Sequence, residues 1–257
     1  MNLAGSVFVI TGGASGLGEG TARRMLLAGA AGIVCLDQDA ARGRSLGEEL
    51  GERFHPCAVD VANESEVNSA IAAGCAKFGA IHVAIHAAAI GTPGKLLGRS
   101  GPISMEHFDR VIKVNLYGAL HLMRAAAARM QGNPPNEHGE RGVLINVSSG
   151  AAWEGQAGQI AYSASKAALV GMTLPLMREL STHGIRVMTI APGAFDTPIY
   201  AQAPPKVREG VIAQSLFPKR MGTAGEFAML IEEVVRNPMH NGRSIRLDAG
   251  LILGPGV

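Results

Sequence analysis

The 257-residue sequence has no surplus of charge of either sign. Lys and Arg total 23, Asp and Glu total 21, the net charge is +2, and no Lys/Arg block stands out. That argues against nucleic acid as the main partner, because phosphate binding needs a basic patch. Cysteine is nearly absent. Cys35, Cys57 and Cys75 are isolated, odd in number and without metal-ligand spacing. They read as buried, reduced thiols of a cytoplasmic protein, and no metal site is expected. No basic leader or cleavage-like site precedes the first apolar run, which starts at Val7. No apolar stretch reads as approaching the ~20 residues of a membrane span, so no membrane partner is expected.

What is there is apolar and rich in glycine. Hydrophobic residues make up 47% and charged residues 17%, the composition of a globular chain with a sizeable core. Apolar β-type runs at Val7–Ile10, Ile33–Leu36, Phe54–Val59, Val83–Ala87, Val143–Val147, Ile185–Ile190 and Ser244–Leu247 alternate with helix-period segments. The clearest of those segments are Gly18–Leu27, Glu64–Phe78, Met105–Met130 and Gln159–Leu180. Alternation of this kind predicts an α/β fold: one domain over residues 1–257, a doubly wound, seven-stranded parallel sheet with helices on both faces. Several runs are apolar at every residue, as strands buried on both faces must be. Gly91–Pro102 and Gly132–Gly142 read as surface loops. The proline-rich stretch 192–221 follows the sixth run and is placed to cover a substrate, since ligands bind beyond the carboxyl ends of such strands.

Thr11-Gly12-Gly13-Ala14-Ser15-Gly16-Leu17-Gly18 follows the first strand and opens a helix. Glycines there let the backbone turn tightly and approach a pyrophosphate, while the helix N-terminus offers free N–H groups and a positive dipole end. Asp37 ends the second strand, 19 residues after Gly18. A carboxylate there accepts from ribose hydroxyls and repels a 2′-phosphate, which selects NAD over NADP. Arg42 and Arg44 lie further on, on a helix face expected to be exposed. Asp60-Val61 closes the third run; Asp60 either meets the adenine amino group or caps the next helix.

Tyr162 and Lys166 are four residues apart, so on a helix they share a face. An ammonium beside a phenol, together with a cationic nicotinamide, should lower the phenol's pKa from ~10. The tyrosine then exchanges a proton with a substrate oxygen while hydride moves at carbon. Ser149 lies just past the fifth run and is placed to bond the same oxygen as charge develops on it. Asn115 sits inside the Met105–Met130 pattern, where Asn is a poor helix former; it is expected to break the ladder locally and hold a water toward Lys166.

The whole chain resembles the short-chain dehydrogenase/reductase family. The resemblance is carried by Thr11-Gly12…Gly16-Leu17-Gly18, Asp60-Val61, Val114-Asn115, Ser149, Tyr162…Lys166 and Pro192-Gly193. It implies a single-domain Rossmann fold, a catalytic set of Asn115, Ser149, Tyr162 and Lys166, a nicotinamide cofactor and a homotetramer. The expected cofactor contacts are Gly12, Ser15, Gly16, Leu17, Gly18, Asp37, Asp60, Val61, Ala88, Tyr162, Lys166, Pro192, Gly193 and Thr197.

Glu154-Gly155-Gln156, Val170-Gly171-Met172-Thr173-Leu174-Pro175, the run Gly184–Gly193, the loop Gly132–Gly142 and Ile245-Arg246-Leu247-Asp248 are similar to the short-chain 3-hydroxyacyl-CoA dehydrogenases. That subgroup implies NAD-linked interconversion of 3-hydroxyacyl-CoA and 3-oxoacyl-CoA; the alternatives are a hydroxysteroid or another secondary alcohol, and a dinucleotide-binding sensor without turnover. Ala194, Phe195, Ile199, Leu216 and Phe217 suggest an apolar substrate lining, and Lys206, Arg208, Lys219 and Arg220 are candidates for CoA phosphates.

Two departures from the family pattern stand out. His86 and Ala89 in His86-Ala87-Ala88-Ala89 stand where the family has Asn and Gly. The methyl of Ala89 is expected to push against the cofactor ribose. Asp196 stands where the subgroup has a small uncharged residue, either at the mouth of the site or as a helix cap before Thr197-Pro198.

Overall fold

The computed structural model describes residues 1–99, 101–201 and 205–256. Seven strands form one parallel sheet: β1 Val7–Thr11, β2 Gly32–Asp37, β3 Phe54–Ala58, β4 Val83–His86, β5 Gly142–Val147, β6 Ile185–Pro192 and β7 Ser244–Leu247, in the order β3-β2-β1-β4-β5-β6-β7. Each run expected to be a strand is one, with ends shifted by a residue or two. The order reverses between β1 and β4, and that switch point opens a crevice at the carboxyl edge of the sheet.

Helices cover both faces: α1 Gly16–Leu27, α2 Ala40–Leu50, α3 Glu64–Phe78, α4 Met105–Ile112, α5 Gly118–Met130, α6 Ile160–Leu180, α7 Pro198–Ala201, α8 Pro205–Gln214 and α9 Ala224–Arg236. One core cluster holds Phe8, Ile10, Ile33, Ile85, Ile145, Met188 and Phe227 under α1 and α9; the other holds Val9, Val34, Ala84, Leu144 and Val187 under α3 and α5. β1, β5 and β6 are buried at every residue, which is why their sequences run apolar without alternation.

The expected break at Asn115 is there: a π-turn at Lys113–Tyr117, centred on Asn115, divides Met105–Met130 into two helices. Three other expectations are corrected. The stretch 192–221 carries helices α7 and α8, and its residues 202–204 and the side chain of Ile199 lie outside the described residues. Only Cys35 is fully buried; Cys57 and Cys75 are partly exposed, and all three are free thiols. Finally, Ile160–His183, with mean hydropathy 1.2, is long and apolar enough by composition to cross a membrane. The expectation missed it because Ser, Thr and Lys interrupt the apolar run. One side of α6 packs on β6, while Ala164, Ala167, Gly171 and Leu174 are exposed.

Candidate active site

The Gly-rich loop joins β1 to α1 at the switch point. Gly12 has φ +63°, and a Cβ there would stand 2.9 Å from the Ala88 backbone; a Cβ on Gly18 would stand 2.2 Å from the Gly12 carbonyl oxygen. Only glycine fits either position, so the loop lies flat against the end of β4. Helices α2, α3, α4 and α9 are capped by the side chains of Asp39, Asn63, Ser104 and Thr223, whereas Ser15 at the start of α1 makes no side-chain cap. The first N–H groups of α1 are thus left to a ligand, and Gly16 and Leu17 open that turn. Thr197 and Pro198 pack against Gly16, 3.3–3.4 Å from where a Cβ would be. The segment after β6 therefore closes over the loop.

Asp37 sits at the end of β2 beside this loop. Its Oδ2 accepts from the Ala14 N–H at 3.0 Å, and its Oδ1 accepts from the Asp39 N–H at 3.1 Å. The carboxylate both ties the Gly-rich loop and faces a cavity of about 210 Å³ lined by Gly43, Arg44, Pro56 and Ala58. Arg42 is more than a solvated side chain: its guanidinium reaches the Ala14 carbonyl and Glu19. Asp60 accepts from the Ala62 N–H at 2.9 Å in a turn, and Asn63 caps α3 in its place, so the helix-cap reading of Asp60 fails. His121 on α5 bonds the Val61 carbonyl at 3.0 Å and fixes that corner. Together the uncapped helix start, the flat loop and Asp37 fit a dinucleotide.

The reacting groups converge at the ends of β5 and β6. The Lys166 side chain is buried and its ammonium donates to the Val147 carbonyl at 2.8 Å, 5.6 Å from the centre of the Tyr162 ring. The Ser148 hydroxyl donates to the Lys166 carbonyl and holds α6 on β5. Asn115 is also buried. Its carboxamide accepts from the Ile90 N–H at 2.9 Å and donates to the Ile90 carbonyl and to Ser165, both at 3.0 Å. Its amide N–H groups are thus committed to the chain after β4 and to α6. The π-turn was foreshadowed by a poor helix former in mid-helix; these partners were not.

Burial decides the charge state here. It pushes Tyr162 up to about 12, outweighing the contact with Ser149 that favours the phenolate. It lowers Lys166 to about 7. The expectation was that the ammonium and a cationic nicotinamide together acidify the phenol; in the chain alone, burial outweighs the ammonium's share. Lys166 lies beside the ring, and desolvation of both groups opposes the charged pair. Ser149 also accepts from the Ala151 N–H at 3.2 Å, so it is a turn former as well as a neighbour of Tyr162.

Ser149, Gly150, Pro192, Gly193, Tyr200 and Leu251 wall a small pocket, and Ser149 ties it to Tyr162. Tyr200 and Leu251 had no signal in the sequence: one is a tyrosine in a proline-rich stretch, the other lies in the tail after β7. The CoA-phosphate candidates divide. Arg208 pairs with Asp196 at 3.0 Å and Arg220 with Glu226, while Lys206 and Lys219 have no carboxylate partner among the described residues. The same pair shows that Asp196 is not a bare charge at the mouth. Leu216 and Phe217 are exposed, at 72% and 84%, and do not line the pocket; Ala194 and Phe195 are buried.

The family model for short chain dehydrogenases matches residues 6–208. The chain is a short chain dehydrogenase. As a member of that family it is an oxidoreductase with a nucleotide cofactor and a small-molecule substrate. It is 42% identical over 252 residues to the 3-hydroxyacyl-CoA dehydrogenase type-2 of Drosophila melanogaster, covering 97% of this chain and 98% of that one. A crystal structure of 3-hydroxyacyl-CoA dehydrogenase type-2 from Mycobacterium avium superposes with a TM-score of 0.93 at 37% identity, over 99% of both chains. The 3-ketoacyl-(acyl-carrier-protein) reductase of Brucella melitensis, solved in complex with NADH, superposes with a TM-score of 0.86 at 27% identity, over 98% of this chain and 100% of that one.

Proposed function

We propose that this dehydrogenase interconverts a 3-hydroxyacyl-CoA and a 3-oxoacyl-CoA with NAD as the hydride carrier. One observation carries the chemistry: Tyr162, Ser149 and Lys166 meet at the edge of the sheet where the dinucleotide cradle ends. Tyr162 exchanges the proton of the substrate oxygen. Ser149 holds that oxygen. Lys166 sets the electrostatics beneath, and Asn115 ties its helix to the chain after β4. A bound nicotinamide would accept or give the hydride, and in its oxidised form alone it would add positive charge. That charge would favour the phenolate against the desolvation that pushes Tyr162 up.

Asp37 supports NAD over NADP, because a second anion beside its carboxylate is repelled. The substrate class rests on the similarity to 3-hydroxyacyl-CoA dehydrogenases and on the apolar wall built by Leu251 and Leu253. Lys206 and Lys219 remain available for CoA phosphates. A homotetramer accords with the apolar exposed faces of the π-turn, α5 and α6, where Tyr117, Leu120 and Leu174 meet solvent. The three free thiols support a cytoplasmic location.

The test is oxidation of NADH, against NADPH, with acetoacetyl-CoA, a steroid ketone and a simple aliphatic ketone. Acetoacetyl-CoA is expected to turn over best. Faster turnover of the steroid or the simple ketone would move the enzyme to the hydroxysteroid or general secondary-alcohol class. No turnover with any of them would favour a dinucleotide-binding sensor.

A further inference from the structure

Thr11, His86, Asn146 and Thr189 are in-register neighbours on β1, β4, β5 and β6, and all four are fully buried. They form a polar row across the sheet beneath α5 and α6. Its outer members are satisfied. Thr189 bonds Thr173 at 2.6 Å, and Thr11 bonds His86 Nδ1 at 2.9 Å. Its inner members are not. Four buried side-chain polar atoms lack a partner among the described residues, and three of them are His86 Nε2, Asn146 Nδ2 and Asn146 Oδ1. Such atoms are rare in folded proteins, and a cluster of them needs a ligand.

Hydrogen-bond counting fixes what His86 offers. The Thr11 hydroxyl oxygen accepts from the Ala87 and Ala88 N–H groups, both at 3.2 Å. Those bonds use both its lone pairs, so its one hydrogen points at His86 Nδ1. Nδ1 is then an acceptor and the ring proton sits on Nε2. A cationic ring would aim a third donor at the same oxygen. Burial and the Lys166 charge act in the same sense and lower His86 to about 3, against a contact with the Asn115 backbone that favours the protonated ring. The Nε2–H therefore points away from Thr11. A Cβ on Gly118 would be 3.3 Å from the adjacent ring carbon, Cε1, so this edge of the ring faces the start of α5, next to Asn115.

We propose that His86 and Asn146 bind one buried water beneath the Tyr162–Lys166 helix, and that His86 is through this water a positioning residue for Asn115 and Lys166. The water accepts from His86 Nε2–H and donates to Asn146 Oδ1, which satisfies two groups that do not reach each other. Asn146 is followed by Val147, whose carbonyl holds the Lys166 ammonium. On its other side His86 abuts the π-turn of Asn115. Without the ring and its water, the turn and the ammonium lose a common support. The inference rests on the assigned roles of Tyr162 and Lys166.

The direct test is a high-resolution crystal structure of the protein. A water within hydrogen-bond distance of both His86 Nε2 and Asn146 is expected; a dry gap or a direct His86–Asn146 bond overturns the proposal. The functional test compares H86L with H86N. H86L is expected to lose about tenfold or more in kcat through misplacement, with KM for NADH unchanged and the pH profile of kcat displaced. H86N, which keeps an acceptor for Thr11 and a donor for the water, is expected to restore most of it. Turnover and pH profile of H86L equal to wild type overturn the positioning role. If H86L does not fold, the ¹⁵N spectrum of His86 decides: a neutral Nε2–H ring between about pH 5 and pH 8 supports the site, and an Nδ1–H or cationic ring sinks it. A Y162F control separates the failures. Inactive Y162F with normal H86L rejects this inference alone; active Y162F rejects the assigned chemistry as well.

Discussion

The Lys166 ammonium lies beside the Tyr162 ring, 5.6 Å from its centre, and spends a hydrogen bond on the Val147 carbonyl. The pair is thus built as two desolvated groups waiting for a bound charge, because burial alone drives both toward neutrality. Removing the phenolic oxygen leaves the cradle untouched. Y162F is expected to lower kcat at least about 10²-fold, while NADH binding, read by fluorescence, stays within about twofold. Unchanged turnover removes Tyr162 from the mechanism.

Asp37 combines two jobs that a substitution separates. Its carboxylate holds the Ala14 and Asp39 N–H groups and places a negative charge beside the cavity next to Arg44. D37N keeps one acceptor, for the Ala14 N–H of the loop, gives up the bond from the Asp39 N–H and removes the charge. The ratio of kcat/KM for NADH over NADPH is expected to fall by roughly one to two orders of magnitude, the worth of one close like-charge contact in a partly wet site. A wild-type preference for NADPH contradicts the reading at the outset.

The sheet was legible because strands buried on both faces must be apolar at every residue, as in Val143–Val147 and Ile185–Ile190. The cradle was legible because its glycines answer to backbone sterics that any sequence obeys. Side-chain partners were not. That Asn115 bonds Ile90 and Ser165 depends on packing three segments far apart in sequence. The pairing of Arg208 with Asp196 likewise depends on how α8 folds back over β6. Desolvation was the other blind spot: spacing predicted a helpful ammonium next to Tyr162, and only the packed structure says how dry the pair is.

His86 makes the fold sensitive to acid. Its pKa is lowered from 6.5 to about 3 in the folded chain. Between those values the unfolded chain binds a proton that the folded chain does not, so stability falls as pH drops from 6.5 toward 3. At higher pH both states are neutral there and the group contributes no slope. H86N lacks this proton. Its acid unfolding midpoint, followed by circular dichroism, is expected below that of wild type relative to each protein's stability at pH 7. Parallel acid titrations of the two proteins would show that His86 is not held neutral.

Arg186 on β6 is buried, and its Nε donates to the equally buried Glu140 at 2.6 Å. Its remaining N–H groups donate to the carbonyls of Val234, Val235 and His240, which tie the end of α9 to the sheet. Neither residue touches the cleft. Glu140 lies in the loop Gly132–Gly142, which in sequence read as surface. Deleting one partner strands the other charge in the interior, which costs more than the pair itself is worth. E140A is expected to lose about 3–5 kcal/mol of stability in urea unfolding, with kcat of the remaining folded enzyme unchanged. R186M, which removes the cation and its bonds to the α9 carbonyls but leaves the carboxylate with the Met1 ammonium at 3.0 Å, is expected to cost a similar amount. In the double variant E140A/R186M the loss is expected to be smaller than the sum of the two, because the Arg186–Glu140 interaction is then lost only once. Strict additivity would mean that the pair is solvated and that α9 is held to the sheet by apolar packing alone.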